Sequence, residues 1–285
     1  MKTYRFCLCM VTLFVVMTRT NAQDSVQDST GLPGDNFSLQ GALEMFKRAG
    51  SPEEFEKLLN SEENHVNNLD LNGDGEIDYI RVVGAMDKNA HAFALQVPVS
   101  EKENQDIAVV ELEKTGDATA VIQIIGDEDI YGEQTIVEPG DGEDESESVG
   151  DGGGRPHPAG YAARIVVNVW GWPGVRFVYA PAYRAWVSPW RWRAYPAWWR
   201  PWRPMAWRVF HPFRARHHAG FAVVRTHRVM HAHRIYTPIR ATSVSVKTRH
   251  GASVKHYRVT RTTMIKGKAG TTKTTRTTKV GKRKR

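Results

Sequence analysis

Charge in this chain is divided rather than mixed. All 31 Asp and Glu residues lie between Asp24 and Asp151, and none follows. The 39 Lys and Arg residues fall as 3 in the first 22 positions, 7 between Gln23 and Asp151, and 29 from Gly152 onward. Seven bases against 31 acids give the first half a formal −24, and 29 bases against no acid give the second +29. Dense like charge opposes compaction, and opposite charge on a tethered neighbour attracts. The join, Pro139 to Arg155, reads PGDGEDESESVGDGGGR. Gly, Glu, Ser and Asp cannot bury enough apolar surface there to offset the entropy of ordering, so residues 140–160 read as a linker.

Residues 1–22 carry the marks of a secretory signal peptide: basic Lys2 and Arg5, an apolar run Phe6 to Met17, and small residues at Thr20-Asn21-Ala22. The mature chain is expected to start at Gln23 and to be exported to a periplasm, a cell surface or the medium. An apolar run of 12 residues is too short to span a bilayer. No later segment is long and apolar enough either, so no transmembrane helix is expected in the mature chain. Cys7 and Cys9 both lie inside the run. The exported protein then has no disulfide, thiol nucleophile or thiolate metal site.

The acidic half reads as a small α+β domain over residues 37–139, after an unstructured polar lead at 23–36. Ser38 caps a helix with an inner stripe of Leu39, Leu43 and Phe46, which Gly50 can end in the left-handed conformation. Ser51-Pro52-Glu53-Glu54 is a capping box opening a second short helix that buries Phe55, Leu58 and Leu59. Period-2 runs follow at Tyr79–Met86, His91–Val99, Ile107–Lys114, Ala118–Ile125 and Ile130–Val137, parted by turn residues. The expected fold is two short helices on an antiparallel sheet of four to six strands. The paired acids Glu111 with Glu113, and Asp127 with Asp129, read as solvated strand faces.

One motif is sharp: Asp70-Leu71-Asn72-Gly73-Asp74-Gly75-Glu76-Ile77-Asp78. Oxygen side chains at alternate positions of a tight loop converge on one hard cation, Gly75 permits the turn, and Glu76 offers its backbone carbonyl. Asp78 can ligate directly or through water. The stretch resembles the calcium loops of the EF-hand and dockerin family, except that Arg81 stands where that family has a bidentate acid. Because a strand follows, it is closer to the Asp-x-Asn-x-Asp-Gly-x-x-Asp loops of FG-GAP and related extracellular repeats. The resemblance covers residues 70–81 only and implies a weakly held Ca2+ with Asp70, Asn72, Asp74, Glu76 and Asp78 as ligands. The competing reading is an Asx-rich turn that holds no metal.

The basic half, residues 161–261, reads as mostly extended, β-hairpin-containing or disordered, with hairpins around Gly171–Gly174 and Arg249–Ala252 and a solvated tail at 262–285. All nine tryptophans lie between Trp170 and Trp207. The central stretch supplies Trp190, Arg191, Trp192, Arg193, Trp198, Trp199, Arg200, Trp202 and Arg203, among prolines that forbid a continuous helix. In composition it resembles Trp/Pro/Arg-rich membrane-active peptides of the indolicidin type. Three readings stand: contact with anionic lipid or lipopolysaccharide, binding of anionic glycan or extracellular nucleic acid by charge and stacking, or packing of the rings into the protein's own core. His227, His231 and His233 have spacing suited to Zn, Ni or Cu, but arginines surround them and no carboxylate is close in sequence. The alternative is a histidine-rich basic surface that charges below pH ~6.5.

No nucleotide-binding loop, G-x-S-x-G elbow, H-E-x-x-H helix or Cys/His pair is present, so no catalytic residue is nominated. The expectation is an exported, non-enzymatic calcium-binding protein whose basic aromatic segment attaches to an anionic envelope or matrix component. The alternative is a structural or assembly protein in which acidic and basic halves pair within or between molecules, including self-association through opposite charges.

Overall fold

The computed structural model describes residues 29–140 and 166–269. Residues 1–28, 141–165 and 270–285, on which the expected signal peptide, the start of the polar lead, most of the expected linker and most of the expected tail fall, lie outside the described residues. Five strands form an antiparallel meander in chain order: β1 (Arg81–Asp87), β2 (Ala90–Pro98), β3 (Asn104–Gly116), β4 (Thr119–Gly126) and β5 (Thr135–Pro139). A sixth, β6 (Phe221–Val224), comes from the basic half and pairs with β5 from Ile136↔Val224 to Pro139↔Phe221. The acidic and basic halves therefore share one sheet.

Alternation along the strands sends the large apolar residues to one face. Val82, Phe93, Leu95, Val110, Leu112, Ile122, Ile124 and Val137 pack there against α1 (Leu39–Arg48) and α2 (Pro52–Leu59). Phe46 of α1 sits edge-on to Phe55 of α2 at 5.1 Å and against Phe93 at 5.5 Å. The caps act largely as their sequence implies: Ser38 Oγ accepts from Gly41 N and Ser51 Oγ from Glu54 N. Two details differ. The α1 cap residue, Ala49, is extended, and Gly50 does not adopt positive φ. Its N–H is instead taken by Glu54 Oε2 at 2.8 Å, so the capping glutamate reaches one residue further back than the box requires.

The other face is mixed in character. Ala92, Ala94, Val109, Ile125, Ile136, Ala222 and Val224 pack with Tyr236 of α6 (Met230–Tyr236), the alanines of β2 leaving room for that helix. Cross-strand neighbours Glu111 and Gln123, with Glu138 on β5, are buried on the same side. These acids are not a solvated face: Glu111 is 0% exposed, and Asp127 is buried as well. The basic half covers them, which the local alternation alone does not reveal.

Three further expectations are corrected. Residues 29–36 are ordered, with Asp35 accepting from Ser29 Oγ, Thr30 Oγ1 and the Gly31 N–H. The region expected to start the last strand instead opens with a short helix, α3 (Glu128–Tyr131), capped by Asp127. The basic half is neither mostly extended nor built of hairpins where it is described. It contains α4 (Pro173–Val178), α5 (Trp207–Ala215), α6 and a long α7 (Val244–Ala269). Pro173 starts α4 at a position where its missing N–H costs nothing. At α7, Ser243 Oγ accepts from Val246 N, and Val246 and Val254 are buried eight residues apart on one helix face.

Asp106, at 0% exposure, joins the two halves. It accepts from Gln96 Nε2, Tyr236 Oη and the Ala241 N–H. Burial pushes its carboxyl up to about 6 from 3.8. Between those values the folded chain holds a proton that the unfolded chain has released, so this group's stability contribution is full below about pH 4 and is lost as pH rises through 6. Asp106→Asn is expected to remove that part of the pH dependence, worth at most about 3 kcal/mol. Thermal melts of both proteins between pH 4 and 7 check it. An unchanged slope contradicts it.

Candidate functional site

The calcium-loop candidates are gathered in one tight turn ahead of β1. Gly73 and Gly75 take positive φ, as the turn demands. Asp70 Oδ1 accepts from Gly73 N and Asp74 N, and its Oδ2 from Gly75 N. Asn72 Oδ1 accepts from Asp74 N, while Asn72 Nδ2 donates to Asp74 Oδ2 at 2.9 Å and Asp78 Oδ1 at 3.1 Å. Glu76 is exposed, its N–H bonded to Asp74 Oδ1. Ile77 is buried and anchors the loop. Asp78 is buried and accepts from the Leu71 N–H; burial, with the nearby Asp70 and Asp74 charges, pushes its carboxyl up to about 7.

The donor set is all oxygen and fits a hard cation. In this geometry the Asn72 amide hydrogens answer Asp74 and Asp78, the place a cation would take. Arg81 points elsewhere, donating to Gln96 Oε1 and the Trp190 carbonyl. A different arginine reaches the loop: Arg249 of α7 donates to the Leu71 carbonyl and lies against Gly73.

The tryptophan and arginine ribbon runs beside this loop and along the free edge of β1. Gly84 N donates to the Trp186 carbonyl at 2.6 Å and Ser188 N to the Val82 carbonyl at 2.9 Å. A Cβ at Gly84 would stand 2.7 Å from Trp186 O, so only glycine admits the ribbon there. Glu56 of α2 is the buried node beneath. It accepts from Tyr79 Oη, the Val82 N–H, Ser188 Oγ and Trp186 Nε1. Burial raises its carboxyl above the usual range against the pull of these donors. Further on, Ile77 N donates to the Trp202 carbonyl, and Asn68 exchanges two hydrogen bonds with Met205.

The ribbon's rings and charges are sorted. Trp199 is 3% exposed and meets Tyr79 at 5.1 Å and Tyr195 at 4.7 Å. Trp190, Trp192 and Trp202 are half-buried, and Trp198 is 48% exposed. Arg191, Arg193, Arg200 and Arg203 are exposed. Among the described residues no ion pair involves an arginine between 184 and 216. The pairs fall instead on later bases: Arg228 with Glu138, Arg240 with Asp127 and Asp129, Lys247 with Asp129, Arg258 with Glu128 and Arg261 with Glu133.

A cluster that the sequence did not reveal lies on the second sheet face. Glu111 Oε2 is 2.6 Å from His227 Nε2, and its Oε1 is 2.8 Å from His233 Nδ1. The hydrogen bond to Glu111 holds the His233 imidazole above its ordinary value. His231 faces Asp87 instead, at 2.9 Å. The carboxylate missing from the histidine-rich stretch is thus supplied from more than a hundred residues away. No family model, curated protein or solved structure matches this chain.

Calcium is expected to raise the melting temperature, with an affinity of about 10⁻⁴ to 10⁻³ M because no bidentate acid closes the loop. Asp70→Ala with Asp74→Ala should abolish the calcium-dependent rise whatever their effect on the starting stability. Removing two exposed acids elsewhere, Glu53 and Glu63, should leave it. An equal response in both variants would mean general screening.

Proposed function

We propose that this is an exported, non-enzymatic attachment protein in which a calcium-stabilised body presents the arginines of its aromatic ribbon to an anionic envelope or matrix component. The observation that carries the reading is the sorting of charge. The described acids that pair across the two halves engage bases from His227 onward, while Arg191, Arg193, Arg200 and Arg203 are exposed and make no ion pair with them. Arginines held apart from carboxylates remain available for phosphate or sulfate, which guanidinium binds through paired N–H groups.

The tryptophans serve chiefly to hold the ribbon. Trp186 and Trp199 pack inward, while Trp198 and the half-covered Trp190 and Trp192 offer rings at the surface for stacking. Calcium acts through the loop's direct bonds to the ribbon, Ile77 to Trp202 and the neighbouring Asn68 to Met205. Ordering the loop keeps the arginines in place. Among the described residues no helix is long and apolar enough to cross a membrane.

Binding to anionic vesicles should weaken steeply with salt. Arg191→Ser with Arg193→Ser, and Arg200→Ser with Arg203→Ser, should each lower affinity and flatten the salt dependence, by roughly one in log–log slope for each arginine that engages a phosphate. Arg258→Ser with Arg261→Ser, whose bases already pair with Glu128 and Glu133, should change little. Tryptophan emission should hold nearly constant on binding. Ribbon variants that bind like the parent would overturn the reading, and a large blue shift would replace surface contact by insertion.

A further inference from the structure

We propose that Glu111, His227 and His233 form a site for a divalent transition-metal ion of the zinc class, which clips the basic half onto the acidic sheet. One ligating atom from each residue lies within 4.8 Å of the others. Two imidazole nitrogens and a carboxylate oxygen are a donor set that suits Zn2+, Ni2+ or Cu2+ and leaves a fourth position open. Calcium, which takes six to eight oxygens, is poorly served by it.

The three side chains are mounted on rigid parts. Glu111 is on central strand β3, between Ala92 and Gln123 in the register. His227 lies in the short link between β6 and α6, and the residues on both sides of it are clamped by one amide. Gln123 Nε2 donates to the Thr226 carbonyl at 2.9 Å, and Gln123 Oε1 accepts from Arg228 N at 2.8 Å. His233 is carried by α6, whose start is fixed where Glu113 Oε1 accepts from the His231 and Ala232 N–H groups. Preset ligands of this kind lower the cost of binding.

The local charge also favours a cation. The hydrogen bonds to Glu111 among the described residues come from the two imidazoles, so its buried charge has no arginine or lysine partner. Arg228 is occupied by Glu138, and Arg225 and Arg234 are exposed to water, which screens them. A tetrahedral ion with ligands at about 2.0–2.1 Å sets donors roughly 3.3 Å apart. The present spacings of 2.6 and 2.8 Å, which end on the two different oxygens of Glu111, need to open by about 0.5 to 0.7 Å. His227 and His233 keep partly solvated side chains, so an ion can enter and a water can fill the fourth position. The ion would join residues 116 and 122 positions apart, one from each half.

The test uses the full chain, stripped with chelator and titrated with Zn2+ by calorimetry and with Co2+ by visible absorption. One equivalent of Zn2+ with micromolar or tighter affinity, a raised melting temperature, and intense tetrahedral cobalt bands are expected. His227→Ala with His233→Ala should lose all three, and Glu111→Gln should weaken binding at least tenfold. His211→Asn and the calcium-loop variant Asp70→Ala/Asp74→Ala should keep them. The parent protein's cobalt spectrum decides even if the histidine variant does not fold, because a weak octahedral spectrum or no uptake overturns the proposal. Unaltered stoichiometry and spectrum in a folded histidine variant overturn it too.

Discussion

The structure depends on a row of carboxylates buried on one face of an antiparallel sheet. Glu111, Glu138, Asp106 and Asp127 are each nearly inaccessible to water. A carboxylate in that setting is tolerable only when hydrogen bonds or opposite charges surround it. Beyond the sheet, Asp127 accepts from the Asp129 N–H of α3, and the other such partners come from the basic half: His227 and His233 for Glu111, Arg228 for Glu138, Tyr236 and Ala241 for Asp106, Arg240 for Asp127. Segregation of charge along the chain becomes complementarity across an interior interface. β6 extends the same sheet, so backbone pairing and charge pairing act at one seam.

That seam divides the basic half by role. Between His227 and Arg261, Arg228, Arg240, Lys247, Arg258 and Arg261 face acids and belong to the fold, whereas the ribbon before them is held by Glu56, by backbone contacts with β1 and by stacked aromatic rings. Holding a basic segment by its aromatic and backbone groups leaves Arg191, Arg193, Arg200 and Arg203 exposed, with Arg200 also donating to the Ala197 and Trp199 carbonyls and Arg193 lying over the Trp192 ring. The calcium loop touches both parts, through Trp202 of the ribbon and Arg249 of α7. An ion held at the loop would act on both through these direct hydrogen bonds.

Legibility in the sequence followed the range of the interactions. Caps at Ser38 and Ser51, the strands of the meander and the turn at Gly75 rest on neighbours a few residues apart, and they were readable. The burial of Glu111 was not, because period-2 alternation gives a residue's face but not what covers that face. β6 is only four residues long and sits in a histidine- and arginine-rich stretch, so pairing with β5 rather than its own pattern decides it. Helix α7 was disguised by its valines and threonines, which favour strands in isolation. Its signal was the spacing of Val246, His250 and Val254. The His227 and His233 site lacked a local acid, and only the fold brings Glu111 to it.

The acidic sheet, on these grounds, requires the basic half as its second cover. To measure this, residues 23–139 and 160–285 are expressed separately, and each, then their mixture, is compared with the intact chain by calorimetry and thermal unfolding at low salt. The acidic fragment alone should unfold at a lower temperature or without cooperativity. Mixing should release heat at one-to-one stoichiometry and restore a cooperative transition near that of the intact protein. An acidic fragment that melts like the whole chain and shows no heat of mixing would mean that the sheet needs no such cover.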